Sequence, residues 1–380
     1  MRLFECQHCG QPLYFRNTRC ERCGRQLGYL PAKQTLTALE PDARGFRALA
    51  ERRGRYRYCA NAQYDACNWL LHVESPEQFC AVCRHNRTIP DLTIPENLIN
   101  WRTIEYAKHR LFYTLLKLRL PLATRQEDPD GLAFDVLAYP ADGTSGSEPI
   151  LTGHASGLIT INLAEADDIE RERQRKNLAE PYRTVLGHVR HEIAHYYWDR
   201  LVRDSSHIEQ FRKLFGDERQ DYAAALQRHY DNGPQPSWRE QFVSAYASSH
   251  PWEDFAETWA HYMHMVDTIE TAAGFGMRVR PRIKQGGDLA TEINFDPHKA
   301  TLDRILESWF PLTFAVNSIN RSMGIPDLYP FVLPPPVIDK LSFVHDLIHA
   351  ASQPPPEEGR RSLLEALAQR WRGSGSSNVS

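Results

Sequence analysis

Residues 188–202 read His188-Val189-Arg190-His191-Glu192-Ile193-Ala194-His195-Tyr196-Tyr197-Trp198-Asp199-Arg200-Leu201-Val202. Inside this stretch, His191-Glu192-x-x-His195 is an HExxH motif. On a helix, residues four apart project from one face about one turn apart, so both imidazoles can bind a single zinc ion. The glutamate between them lies beside the metal's water and can take its proton. In a chain of 380 residues with 16 His, the motif is expected by chance only about 0.05 times. Val185, His188, His191, Glu192, His195 and Val202 form one stripe, and Pro181 suits a first helical position. The reading is a helix over about 181–203 that carries two metal ligands, His191 and His195, and a general base, Glu192.

A catalytic zinc needs a third protein ligand and an open fourth position. The candidates lie in His250-Pro251-Trp252-Glu253-Asp254-Phe255-Ala256-Glu257. Glu253 and Glu257 are four apart on a helix that starts near Pro251, so they share a face. One can bind zinc while the other holds a ligand histidine by a hydrogen bond. Periodicity does not choose between them. His261 continues the same face, and either lines the site or caps the pair. A third histidine ligand six residues past His195 is excluded, because Leu201 stands there.

The His191–His195 motif with a later Glu-x-Phe-Ala-Glu helix resembles gluzincin metallopeptidases, in particular the lethal-factor-like arrangement. That resemblance implies Glu253 as zinc ligand and Glu257 as its support. It also implies Tyr246, seven residues before Glu253, as a donor to the oxyanion. It covers only residues 191 to 257.

All eight cysteines precede residue 84 and form two groups. Cys6-x2-Cys9 and Cys20-x2-Cys23 are two tight turns, each followed by a glycine (Gly10, Gly24). Together they make a four-cysteine zinc ribbon. A redox CxxC would need a thioredoxin-like βαβ context, which is missing. Cys59, Cys67, Cys80 and Cys83 are spaced irregularly, and only Cys80-x2-Cys83 has knuckle spacing. Four cysteines within 25 residues still match the structural zinc number, so a second site is expected. His72 and His85 are possible substitute ligands. The expected metal content is therefore one catalytic and two structural zinc ions.

Elsewhere, residues 24–55 read as a basic connector with a short helix near Asp42–Arg53. A helical stripe runs through Ile104, Ala107, Leu111, Leu115 and Leu118 and stops at Pro121. Strands are expected at Leu132–Tyr139 and Leu158–Leu163, the second as an edge strand able to pair with an extended peptide. Pro140–Pro149 reads as a loop and Glu165–Lys176 as a solvated charge run. Helices follow at about 206–215, 217–231, 236–248, 251–269, 299–322 and 337–352.

The stretches CNWL (67–70), HNRTIPDL (85–92), GLITINLAEADD (157–168), HVRHEIAHYYWDRLV (188–202), FGDERQDYAAALQRHY (215–230) and HPWEDFAETWAHYMH (250–264) resemble a bacterial family of zinc-binding metallopeptidases with an N-terminal zinc ribbon. The resemblance spans nearly everything before the tail. It implies peptidase activity but no substrate. The expected fold class is α+β: a mainly helical, zincin-like metallopeptidase domain preceded by small zinc-ribbon modules. The expected divisions are a ribbon at 1–30, a basic connector and second four-cysteine module at 31–94, the peptidase domain at 95–352 and a flexible tail at 353–380.

The 45 Lys+Arg nearly balance the 48 Asp+Glu, so the whole chain is no polyanion binder. Residues 1–60, however, carry twelve Lys/Arg against five Asp/Glu, a charge of +7 that leaves −10 for the rest. No run of about 18 apolar residues exists, so no transmembrane helix is expected. The start, MRLFECQHCG, has no apolar h-region, which leads us to expect a cytoplasmic chain in a reducing compartment. Two functions compete. The first is a zinc peptidase acting on a peptide or protein substrate, with its ribbons used for recruitment. The second is an adaptor that binds nucleic acid or protein through its ribbons and Arg-rich flank, with Tyr14, Phe15, Tyr56 and Tyr58 available to stack on bases. No nucleic-acid motif appears, and a basic face packed against the acidic remainder accounts for the flank, so the peptidase reading is preferred.

Overall fold

The computed structural model describes residues 2–139, 152–167, 184–283 and 287–352. The expected loop at Pro140–Pro149, the first helical position at Pro181 and the tail from 353 lie outside the described residues, as does most of the charge run after Glu165.

The chain is α+β. It begins with a small antiparallel pair, β1 (Phe4–Glu5) and β2 (Pro12–Leu13). A five-stranded antiparallel meander follows: β3 (Leu27–Leu30), β4 (Thr35–Asp42), β5 (Gly45–Ala48), β6 (Glu51–Tyr58) and β7 (Leu70–His72). The expected connector and its helix near Asp42–Arg53 are therefore strands. Ala, Leu and Arg there have helical propensity, but Gly45 at φ 126° turns β4 into β5, and a Cβ at that position would meet the Tyr56 carbonyl oxygen at 2.5 Å. Tertiary pairing overrides the local preference. Alternation sorts the sheet's two faces: Leu27, Tyr29, Leu36 and Ala38 enter the main core, while Leu30, Leu39, Ala48, Tyr56 and Leu70 form a second, smaller one.

The second sheet has the order β10-β11-β9-β8, from β8 (Asn86–Thr88), β9 (Ala133–Leu137), β10 (Gly153–Ala155) and β11 (Leu158–Asn162). β9 runs parallel to both β8 and β11, and β10 is antiparallel. The strand expected at the edge, Leu158–Leu163, is thus interior, and the edge nearest the HExxH helix is β10.

Among the described residues, seven principal helices complete the fold. They are α1 (Pro95–Lys117), α2 (Val185–Leu201), α3 (Ile208–Phe215), α4 (Tyr222–Asn232), α5 (Pro251–Gly274), α6 (Leu302–Ser322) and α7 (Pro335–Ala351). The Thr184 hydroxyl caps α2 by accepting from Gly187 N, and the His250 ring caps α5 above Pro251. The helix expected over 236–248 is broken. One turn at Trp238–Gln241 ends in extended backbone at Phe242, and a 3₁₀ turn follows at Tyr246–Ser249. No helix among the described residues is long and apolar enough to cross a membrane.

α2 and α5 pack along each other, and α1 packs on α2 from behind. Buried polar pairs fix this packing. Arg190 on α2 pairs with Asp267 on α5, and Asp267 also accepts from Thr114 of α1 at 2.7 Å. Glu270 accepts from Tyr113 at 2.8 Å and pairs with Lys117. On the other side, the fully buried Asp254 meets the buried Lys340 of α7 at 2.6 Å.

Candidate metal centre

His191 and His195 lie on the buried face of α2, with ring centroids 5.0 Å apart. Glu253, in the first turn of α5, reaches between them. Its Oε2 is 2.9 Å from His191 Nε2 and its Oε1 is 3.5 Å from His195 Nε2. Two imidazole nitrogens and a carboxylate oxygen, all buried and within 4.8 Å of one another, make a nitrogen–oxygen donor set that fits zinc. The second glutamate takes a different position. Glu257 Oε1 accepts from His191 Nδ1 at 2.8 Å, and its other oxygen accepts from Ser244 Oγ at 2.6 Å. This bond fixes the His191 ring and leaves Nε2 directed at the donor set. The break at Phe242 brings Ser244 to Glu257.

The electrostatics agree with this division. Burial alone would raise the Glu253 carboxyl, but the His195 and His191 rings outweigh it and hold it down at about 2. Glu257 is held at about 2 as well, burial being outweighed by the His191 hydrogen bond. Both carboxylates are therefore ionised, as metal ligation and its support require.

Glu192 is buried on the same helix, and His188 Nε2 lies 3.1 Å from its Oε1. His188 Nδ1 in turn meets Glu165, which Thr152 also bonds. Burial pushes the Glu192 carboxyl up, and the His188 hydrogen bond more than reverses that, so Glu192 is an ionised base held in a fixed orientation. The sequence put His188 on the right stripe without revealing this partnership, because Glu165 is 23 residues away.

Tyr246 lies in the 3₁₀ turn with its ring 5.9 Å from that of His191. Sequence reasoning missed Tyr222 of α4, whose hydroxyl donates to Glu253 Oε1 at 2.8 Å. His261 does not join the donor set; its Nδ1 is 2.7 Å from the Tyr329 hydroxyl. Trp252 packs on His195 at 4.1 Å, and His154 of the edge strand β10 lies beyond it, its ring 6.2 Å from His195.

The eight cysteines converge in two groups of four and form no disulfide. In the first group, Cys6 and Cys23 sulfurs are 3.8 Å apart and those of Cys9 and Cys20 3.6 Å. In the second, Cys67 and Cys80 sulfurs are 3.7 Å apart. Four sulfurs held tetrahedrally at about 2.3 Å from zinc would be separated by roughly 3.8 Å, so both groups fit that ion. Each knuckle of the first group closes by a glycine amide donating to the first cysteine carbonyl. Gly10 N reaches Cys6 O at 2.9 Å and Gly24 N reaches Cys20 O at 2.8 Å, with φ near +70° at both glycines. In the second group, backbone amides of Trp69 and Cys80 donate to the Cys67 and Cys59 sulfurs, each at 3.3 Å. His72 is exposed beside Glu74, and His85 bonds the Leu132 carbonyl, so neither joins the sulfurs.

Residues 97–347 match the family described as "Putative zinc-binding metallo-peptidase", and residues 3–94 match a zinc-ribbon domain. The first match spans most of the chain, so the protein belongs to that family. Uncharacterized proteins of Mycobacterium bovis and of Mycobacterium tuberculosis are each 40% identical to it over 376 residues, covering 96% of this chain and the whole of each relative. No solved structure matches the chain.

Proposed function

We propose that the protein is a zinc-dependent, gluzincin-like peptidase with a zincin-like catalytic domain, and that it hydrolyses peptide bonds at the His191–His195–Glu253 centre. The observation that carries this reading is the Glu253 carboxylate reaching between the two HExxH imidazoles, with an ionised Glu192 one residue from His191 on the same buried face. When bound, zinc would polarise the scissile carbonyl and acidify a water. Glu192 takes the proton of the attacking water and returns it to the leaving amine, while His188 holds the Glu192 carboxylate in place. Glu257 keeps the His191 ring oriented. Tyr246, beside His191, donates a hydrogen bond to the developing oxyanion. Two structural zinc ions hold the N-terminal module, which recruits a protein substrate or partner in a reducing, cytoplasmic setting that suits eight thiols.

The adaptor reading has less support. Arg25 and Arg47 pair with Glu40, Lys33 with Glu51 and Arg55 with Asp42, so four of the twelve basic side chains of residues 1–60 are engaged by neighbouring carboxylates, although the segment keeps its +7 balance. The test is cleavage of an unbiased peptide library by the zinc-loaded full chain. Cleavage is expected, and Glu192→Gln should lower it by about 10²- to 10⁴-fold while retaining the metal. Cleavage by the Gln variant at the wild-type rate would remove Glu192 as the base.

A further inference from the structure

The second cysteine cluster stands at the seam between the zinc-ribbon match and the peptidase match, and a peptidase-domain residue reaches into it. His109, on the buried face of α1, turns Nε2 onto three of the four sulfurs. It lies 3.2 Å from Cys67 Sγ, 3.8 Å from Cys83 Sγ and 4.0 Å from Cys80 Sγ. Its Nδ1 meets the Glu105 carbonyl at 2.6 Å, so both ring nitrogens face acceptors. The ring is buried, with Trp69 against it at 5.4 Å. Beside it, Glu105 Oε2 is 3.8 Å from Cys83 Sγ, and Glu105 Oε1 accepts from Lys108 Nζ at 2.8 Å. Four thiolates around a divalent ion leave two negative charges in a dry environment, so donors aimed at the sulfurs are what such a site requires.

The cluster is joined to the peptidase domain by backbone as well. The Cys80–Cys83 knuckle runs directly into β8, which pairs in parallel with β9 of the second sheet. His85, in the same turn, bonds Leu132 O at 2.9 Å, just before β9. Phe15, Tyr29 and Trp69 of the N-terminal module pack into the same core as Tyr113 of α1. The far end of α1 then grips the HExxH scaffold, since Thr114 bonds Asp267, the partner of Arg190.

We propose that the second cysteine site is an interdomain metal clamp. His109 caps its thiolates by N–H···S bonding, and the metal ties β8 and α1 to the N-terminal sheet. This site is then part of the peptidase scaffold, whereas Cys6–Cys23 is a local knuckle pair. His109 is a positioning residue, not a ligand. The inference rests on the second structural zinc reading and is independent of hydrolysis.

The full-length chain loaded with cadmium-113 tests it. Two four-sulfur cadmium resonances are expected, one of them coupled through the hydrogen bond to the His109 Nε2 proton. In His109→Ala that resonance alone should shift, and its metal should pass to a chelator about 10- to 100-fold more readily. His109→Gln, which keeps a donor, should fall between wild type and Ala and serves if the Ala variant does not fold. Removing the clamp metal should raise amide exchange in β8, β9 and α1. The proposal is overturned if wild type shows a single four-sulfur site. It is also overturned if neither variant alters either resonance, or if faster exchange stays confined to residues before 84. The catalytic reading is judged separately, by peptide cleavage, so either can fail alone.

Discussion

The ribbon cysteines and the His191–His195–Glu253 centre both gather metal donors, but by opposite means. Cys6, Cys9, Cys20 and Cys23 lie within 18 residues, and two turns closed by their own glycine amides bring them together. All four corners are sulfur, so such a site is closed and its metal holds shape. In the His191–His195–Glu253 centre the third donor is 58 residues from His195, and the packing of α2 on α5 delivers it. Three donors leave one position open. A closed site spends its donors on stability, and an open one depends on the surrounding fold for its geometry.

The largest expected effect separates the two directly. The intact protein should hold three zinc ions per chain. Stripping the thiolate-bound ions should unfold the N-terminal module, because binding at structural zinc sites carries on the order of 10 kcal/mol of folding energy. His191→Ala should lose one zinc and keep the fold, since Arg190, Ile193 and Tyr197 still anchor α2. Elemental analysis with thermal unfolding checks both. Equal loss of structure in the two cases would erase the distinction.

A smaller effect probes how far the open centre leans on the core. Asp254 follows Glu253 on α5 and, fully buried, meets Lys340 at 2.6 Å. Burial outweighs the Lys340 charge and raises the Asp254 carboxyl to about 7, so Lys340→Met leaves it protonated and short of a partner, at a cost of about 1–3 kcal/mol. The catalytic zinc should then be released more readily, while the Cys6–Cys23 site keeps its ion. Chelator competition site by site reads this, and unchanged retention at the catalytic centre would show that α5 is held without the pair.

Smaller again is the difference between the two helix glutamates. Glu253→Ala should release the catalytic zinc outright, whereas Glu257→Ala should weaken retention by about 10- to 100-fold, because it only frees the His191 ring to turn. Zinc titration of both variants side by side decides, and a larger loss at Glu257 would reverse their roles.

The contrast also explains what could be read in advance. Cys6–Cys23 and His191–His195 were legible because spacing along one turn or one helix fixes how their side chains meet. Spacing made Glu253 and Glu257 legible as a pair, while their separate parts came from the gluzincin resemblance and not from periodicity. Choosing between them needs the position of Ser244 and the His191 ring, which depends on the break at Phe242, and the Trp-Arg-Glu-Gln run before it reads as continuous helix. Tyr222, Glu165 and His109 escaped because each acts on a residue 23 to 42 positions away. Residues 24–55 read as a connector with a helix near Asp42–Arg53, but their helix-favouring Ala, Leu and Arg residues are held in strands β3 to β6 by pairing across turns.

The smallest effect concerns two tyrosines near the centre. The gluzincin resemblance assigns the oxyanion contact to Tyr246, whose ring lies 5.9 Å from that of His191. The Tyr222 hydroxyl is already engaged, donating to Glu253 Oε1 at 2.8 Å. Burial pushes both phenols up, Tyr246 well above its usual range, so each stays protonated and able to donate at neutral pH. Their losses should register on different axes. Tyr222→Phe removes a hydrogen bond to a charged ligand carboxylate, worth about 1.5–3 kcal/mol. Part of that returns as water replaces the hydroxyl at the partly exposed ring, so zinc retention should fall by no more than about 10-fold, with little change in kcat once the metal is saturating. Tyr246→Phe removes a donor that acts only as negative charge develops, so kcat should fall while zinc affinity stays at the wild-type value. Zinc titration and saturating-metal kinetics on the pair read both axes. A kcat loss confined to Tyr222→Phe would move the oxyanion contact to α4 and show that the ligand glutamate's own hydrogen-bond partner turns toward substrate.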